Sequence, residues 1–320
     1  MSHMIQVFSD ENILDDNLEF RRVLQNGELE TGIGSGLLMD CLTDFWNNFY
    51  ASTTSGTTYK IPNLHHASQE EEWKAVARIV AFGWRRFKYL PIQLAPAFLY
   101  EALSVPSSTC SLMETFFNYI SPTEKDALSE ALNDFRSADM EELLTILSSH
   151  NCTIAPMEQN LLRLFEEIAH KELVQEPSFI LKCWKPVLKS IGESLSDGVL
   201  DKILADLQPK ARNVTKHIQF PKTMSPAEST TSHHLLRFVR ELDQRELGLF
   251  LWFFTGCDLF LCKTLKVSFT DNMMTEISRR PVAHTRTCVL ELATNYSTFS
   301  DFRSEFLSVL QSGIWVMDMV

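Results

Sequence analysis

A cysteine beside an arginine, in a polar turn that runs into a strand, is the feature of this sequence best placed for covalent chemistry. It lies in the segment Arg279 to Leu292, RRPVAHTRTCVLEL. Pro281 makes the start of the segment rigid, a short polar turn follows, and alternating apolar residues then read as a strand. A nearby cation lowers the pKa of a thiol and raises its thiolate fraction. Cys288, two residues from Arg286, is therefore a candidate nucleophile. The plain reading of the same residues is a loop entering a strand.

Other candidates carry less. The GIGSG run, Gly32 to Gly36, lacks the preceding strand and glycine spacing of a dinucleotide fingerprint, and the Gly-Lys-Ser/Thr of a phosphate loop. It reads as a turn opening a helix over Leu37–Phe49. His65-His66 and His233-His234 are adjacent pairs. Neighbours on a helix diverge by about 100°, so such pairs do not readily share a metal, and they read as surface or loop histidines. No G-x-S-x-G elbow anchors a Ser-His-Asp triad. The seven cysteines are odd in number, scattered and without C-x-x-C spacing, which argues against a disulfide framework or a zinc site. Neither a metal nor a cofactor is expected, and the compartment reads as reducing, cytosol or nucleus.

Elements must position that turn. The chain reads as mostly helical to about residue 215. Trp73, Val76, Ala77, Val80, Trp84 and Phe87 sit at helical spacing, until Tyr89-Leu90-Pro91 interrupts them. Helices are also expected from Pro96 through Leu103, over Leu112–Ile120, Met140–Leu147 and Asn160–Leu173, the last with Leu161, Leu164, Phe165, Ile168 and Ala169 on one face. Phe220 to Ser232, FPKTMSPAESTTS, is rich in Pro, Ser and Thr and reads as a linker. Beyond it, His234–Trp252 reads as helical, Leu265–Phe269 and Thr287–Leu292 as strands. Phe299, Phe302, Phe306, Val309 and Leu310 form a final helical stripe stopped by Gly313.

The chain has 320 residues, 45% hydrophobic and 22% charged, enough for two modest cores or one large one. Its net charge of -12 and pI near 5.2 disfavour nucleic acid and anionic membrane surfaces as partners. No apolar run approaches the ~20 residues that span a bilayer. The N-terminus has no signal-peptide pattern, and the first four residues, MSHM, read as an expression-tag remnant outside the fold.

The segment Arg279–Leu292 resembles the active-site motif of HECT-type ubiquitin ligases, Leu-Pro-x-Ala-x-Thr-Cys-Phe-Asn-x-Leu-x-Leu. Pro281, Ala283, Thr285, Leu290 and Leu292 match it without a gap, and His284 suits the polar position after the alanine. Leu249 to Gly256 resembles the family's helix ending in Phe-x-Thr-Gly, and His234–Leu242 the helix before it. Tyr296 to Phe299 with Asp301–Leu310 resembles its Tyr-Ser-Ser-Tyr and last helix. More loosely, Gly34 to Leu37, Tyr89 to Ile92 and Ala95 to Leu99 are similar to signatures of the family's large lobe.

The resemblance implies an α+β, bilobal fold. A mainly helical N-lobe over 1–219 would recruit a ubiquitin-conjugating enzyme. A hinge over 220–232 would join it to a small mixed C-lobe over 233–320 that takes ubiquitin as a cysteine thioester and passes it to a lysine of a protein substrate. No cofactor is implied. The nucleophile position, however, is Arg286, with Thr285 and His284 flanking it. A guanidinium stays protonated and forms no thioester. Either Cys288 serves instead, or Arg286 is an engineered replacement of a cysteine, or the chain is a pseudoligase that binds a conjugating enzyme or ubiquitin without catalysis. In a strand, positions 286 and 288 would face one side about 6.6 Å apart, in line with Leu290 and Leu292. That parity favours a structural, core-facing Cys288. The family's aromatic near the C-terminus has no counterpart: that position is Met317, with Trp315 nearby.

Overall fold

Short polar residues followed three positions later by glutamate set several helix starts. Ser121, Ser225 and Asp243 each accept a hydrogen bond from the backbone N–H of Glu124, Glu228 and Glu246, whose carboxylates reach back to the cap. These reciprocal bonds satisfy donors that a helix start otherwise leaves orphaned. The computed structural model describes residues 1–16, 18, 20–21, 35–64, 69–106, 112–196, 198–270 and 279–312. Gly32–Gly34, His65, His66, Cys110, Gly313, Trp315 and Met317 lie outside them.

The elements run α1 (Ser2–Val7), α2 (Ser35–Thr53), β1 (Thr54–Ser55), β2 (Ile61–Pro62), α3 (Glu70–Phe87), α4 (Pro96–Leu103) and α5 (Leu112–Tyr119). Then come α6 (Pro122–Asn133), α7 (Met140–Ser149), α8 (Leu161–His170) with a π-helical turn over Lys171–Gln175, α9 (Ser178–Glu193), α10 (Val199–Leu207) and α11 (Ala211–His217). The last are β3 (Ile218–Gln219), α12 (Pro226–Glu241), α13 (Gln244–Thr255), β4 (Leu265–Thr270), β5 (Val282–His284), β6 (Val289–Ala293) and α14 (Phe299–Ser312). The protein is thus a mixed α+β chain dominated by helix, with small sheets. Among the described residues no helix is long and apolar enough to cross a membrane.

Two compact units emerge. The first comprises Met1–Asp16, Trp46–Arg86 and Leu90–Ala205. Its α3 buries Trp73, Val76, Ala77 and Val80 at the expected helical spacing, and Trp73 meets Phe49 edge-on at 6.3 Å. Lys88, at φ 59°, marks the stop beyond α3. Ser2–Val7 form α1, which buries none of its residues, and just beyond it buried Arg78 donates to the carbonyls of Phe8 and Ser9 at 3.1 and 3.3 Å. Several helices had no specific sequence expectation: α1, α6, α9, α10 and α11. In α9 the interior Pro186 disguises an otherwise helical face.

The second unit comprises Asn17–Phe45, Phe87–Tyr89 and Asp206–Val320. Its sheet has the order β3-β4-β6-β5, parallel between β3, β4 and β6 and antiparallel between β5 and β6. A phenylalanine cluster fills the core, with Phe306 at 4.9 Å from Phe238, 5.8 Å from Phe250 and 5.5 Å from Phe302. Sheet residues Val267, Ala283, Leu290 and Leu292 join the same core.

This unit does not follow the expected cuts at 219 and 233. It takes in β3, and the supposed linker ends inside α12, which starts at Pro226. The composition of FPKTMSPAESTTS suggested a linker, yet Ser-Pro-Ala-Glu within it is a complete helix start, with a Ser cap, Pro at the first position and Glu at the third. The helical stretch His234–Trp252 is divided between α12 and α13, split where Asp243 caps α13.

Candidate functional site

Residues 279–293 form a hairpin, not a loop leading into one strand. Val282 pairs with Glu291, Ala283 with Leu290 and His284 with Val289. Because strand residues alternate faces, Ala283, Leu290 and Leu292 are buried, while His284 and Glu291 share the opposite face with Nε2 3.5 Å from the carboxylate. Thr285–Cys288 make the tight connection, closed by Thr287 N–H donating to His284 O at 3.2 Å and Cys288 N–H to Thr285 O at 3.4 Å.

That turn overturns the parity expected for 286 and 288. The strand begins at Val289 instead of Thr287, and Cys288 has φ 49°, a left-handed conformation unusual for a residue with a side chain. It is half-buried in the turn, out of line with Leu290. Arg286 is exposed, and Thr285 is buried with its Oγ1 unpartnered.

The partner of the Cys288 thiol is a residue the sequence did not single out. Its Sγ lies 3.0 Å from Cys262 Sγ, in the connection between α13 and β4. The hydrogen bond between the two sulfurs draws the Cys288 thiol below its usual range, and burial opposes it; Cys262 itself is pushed up. The cation invoked from sequence, Arg286, plays no part in that shift. Lying 26 residues apart, the two cysteines left no local signal of their meeting.

Gly36, the last residue of the glycine run, also acquires a role. A Cβ on Gly36 would fall 2.7 Å from Thr285 Oγ1 and 2.9 Å from the Arg286 nitrogen. Only a bare backbone lets the start of α2 lie against the turn. Farther along α2, Asp40 accepts a 2.7 Å bond from the Trp252 indole and Thr43 donates to Gly256 O at 3.3 Å. Gly256, at φ 77°, ends α13 and faces Gly36 O, 2.7 Å from where its Cβ would be. The turn bearing Arg286 is thereby braced by α2 on one side and by the β4–β6 ladder on the other, where Lys266 N–H donates to Cys288 O at 2.9 Å.

His233 is exposed on α12, whereas His234, expected at the surface or in a loop, is half-buried against Phe299 and Phe302. Among the described residues no group of three or more His, Cys, Asp or Glu side chains is placed to hold a metal.

Asp258, close behind the Gly256 corner, is a half-buried acid. Its Oδ1 is shut from solvent and unpartnered, and burial pushes the carboxyl from 3.8 up to about 7. A folded-state pKa above the unfolded one favours folding of the protonated form. That contribution is complete below about 4 and is lost as pH rises through about 7. Asp258→Asn is therefore expected to melt above the parent protein at pH 8, with the difference shrinking as pH falls from 7 toward 4. A Tm difference that stays flat across that range would contradict the assignment.

Comparison of the chain with protein-family models and with curated proteins gives no match.

Proposed function

We propose that the chain is a HECT-type ubiquitin-ligase-like domain whose transfer position is disabled, so that it works as a binding module for a ubiquitin-conjugating enzyme or for ubiquitin. The finer architecture of the reading, a helical lobe for recruitment hinged to a smaller transfer lobe, belongs to this proposal, as does a site of action in cytosol or nucleus. One observation carries it: the residue aligned with the family's nucleophile is an exposed arginine at a tight turn between β5 and β6. Of the residues that match the family motif, Ala283, Leu290 and Leu292 lie in the core. A guanidinium offers no electron pair for thioester formation. Cys288 is directed at Cys262 and half-buried, which argues against a relocated nucleophile.

The test is incubation with activating enzyme, a panel of conjugating enzymes, ATP and labelled ubiquitin, read on a non-reducing gel. The starting protein is expected to give no thiol-sensitive ubiquitin adduct and Arg286→Cys to give one. A pull-down should show a conjugating enzyme or ubiquitin retained by the starting protein. An adduct on the starting protein that disappears in Cys288→Ala would replace this reading with an active ligase using Cys288. No adduct on Arg286→Cys and no retained partner would end the ubiquitin reading altogether.

A further inference from the structure

Two cysteines brought together by the fold have no part in the ubiquitin reading. We propose that Cys262 and Cys288 are a dithiol that hydroperoxides convert to a disulfide and that thiol reductants restore. Their sulfurs stand 3.0 Å apart, so a bond of about 2.05 Å needs an approach of only about 1 Å. Both cysteines are half-buried, within reach of a small peroxide. Neither lies inside a helix or strand: Cys262 is in the connection before β4, and Cys288 closes the hairpin turn, so side-chain rotation can bring the sulfurs together while the Lys266–Cys288 backbone bond stays in place.

The two thiols are also unequal. The hydrogen bond between the two sulfurs, 3.0 Å apart, lowers the pKa of Cys288 and raises that of Cys262, and the thiolate is the attacking form. The Cys288 sulfur attacks one peroxide oxygen, the O–O bond breaks, and the other oxygen leaves as an alcohol, or as water from hydrogen peroxide, after taking a proton. Cys288 is then a sulfenic acid. The Cys262 sulfur attacks the Cys288 sulfur, the S–O bond breaks, and the hydroxyl leaves as water with the Cys262 proton. Two thiols and one hydroperoxide yield a disulfide, an alcohol and water. The thiols oxidise by two electrons and the peroxide is reduced by two. The buried cysteines differ: burial pushes both Cys183 and Cys257 up, away from the thiolate.

The proposal is independent of the ubiquitin reading. The full chain is treated with hydrogen peroxide, remaining thiols are alkylated, and the digest is mapped by mass spectrometry. The expected product is a peptide pair joined through Cys262 and Cys288, lighter by two hydrogens and separated by dithiothreitol. Cys262→Ser, checked for native circular dichroism, is expected to stop at a dimedone-reactive sulfenic acid on Cys288. Cys288→Ser is expected to lose most of the fast peroxide reaction. The proposal is overturned if Cys288 in the parent protein goes to sulfenic or sulfinic acid without joining Cys262, or if peroxide couples other cysteines first.

Discussion

Phe238→Ala is expected to destabilise the second unit by about 3–5 kcal/mol, the usual cost of removing a fully enclosed aromatic ring. Phe238 is 1% exposed and stands where three elements meet: its ring lies 6.5 Å from Phe250 of α13 and 6.0 and 4.9 Å from Phe302 and Phe306 of α14. Those rings meet at angles from 42° to 78°, edge and tilted arrangements that add to the area buried. The cavity has little chance to collapse, because β-sheet residues such as Leu290 back the same core. Its neighbour Arg237 supplies the contrast. That guanidinium lies 3.9 Å over Phe299 on the exposed face, so Arg237→Ala should cost about 1 kcal/mol or less. Denaturant unfolding of both variants checks this, read on the transition in which the sheet-containing unit is lost, since two units need not unfold together. Equal costs for the two substitutions would mean that the cluster is not what holds the unit.

How far such features can be read beforehand depends on whether their cause is local. The helical spacing of Trp73, Val76 and Val80, the Pro96 start of α4 and the phenylalanine stripe of α14 are each written within a few turns of chain, and the fold keeps them. Where two local signals compete, composition misleads: a Ser-Thr-Pro stretch suggested a linker, while the Ser225–Glu228 capping box inside it starts α12. The candidate site was legible as a segment but not as a geometry. Pro281, Ala283 and the leucines mark the strands, yet the residue parity across 286 and 288 depends on a turn whose left-handed Cys288 leaves no mark in sequence. What braces the turn is non-local. Gly36 and Cys262 reach it from far along the chain, and nothing in their own surroundings foretells the contact. Sequence pattern thus located the turn, and only the packing assigned Cys288 its partner.

Packing that overrides local preference leads to the second large effect, at Gly192. Alanine favours a helix interior over glycine by about 1 kcal/mol, so propensity alone has Gly192→Ala stabilising α9. The opposite is expected. A Cβ there would collide with the carbonyl oxygen of Leu103, the last residue of α4, and lie 2.9 Å from its carbonyl carbon. The obstacle is backbone, which cannot rotate aside as a flexible side chain would. Relief requires α4 and α9 to move apart, loosening Phe98 from Trp184, whose rings meet edge-on at 5.3 Å and are both fully buried. Overpacking of this kind costs about 1–3 kcal/mol, and rigid backbone on both sides places Gly192→Ala at the upper end, near 3 kcal/mol. Gly248 is the control: in α13 a new Cβ would meet its nearest atoms at 3.8 and 3.9 Å, ordinary contact, so Gly248→Ala should gain up to about 1 kcal/mol. Urea titrations of the two variants should therefore move their midpoints in opposite directions. If both rise, helix propensity governs the α4–α9 contact, and the close approach at Leu103 does not constrain this fold.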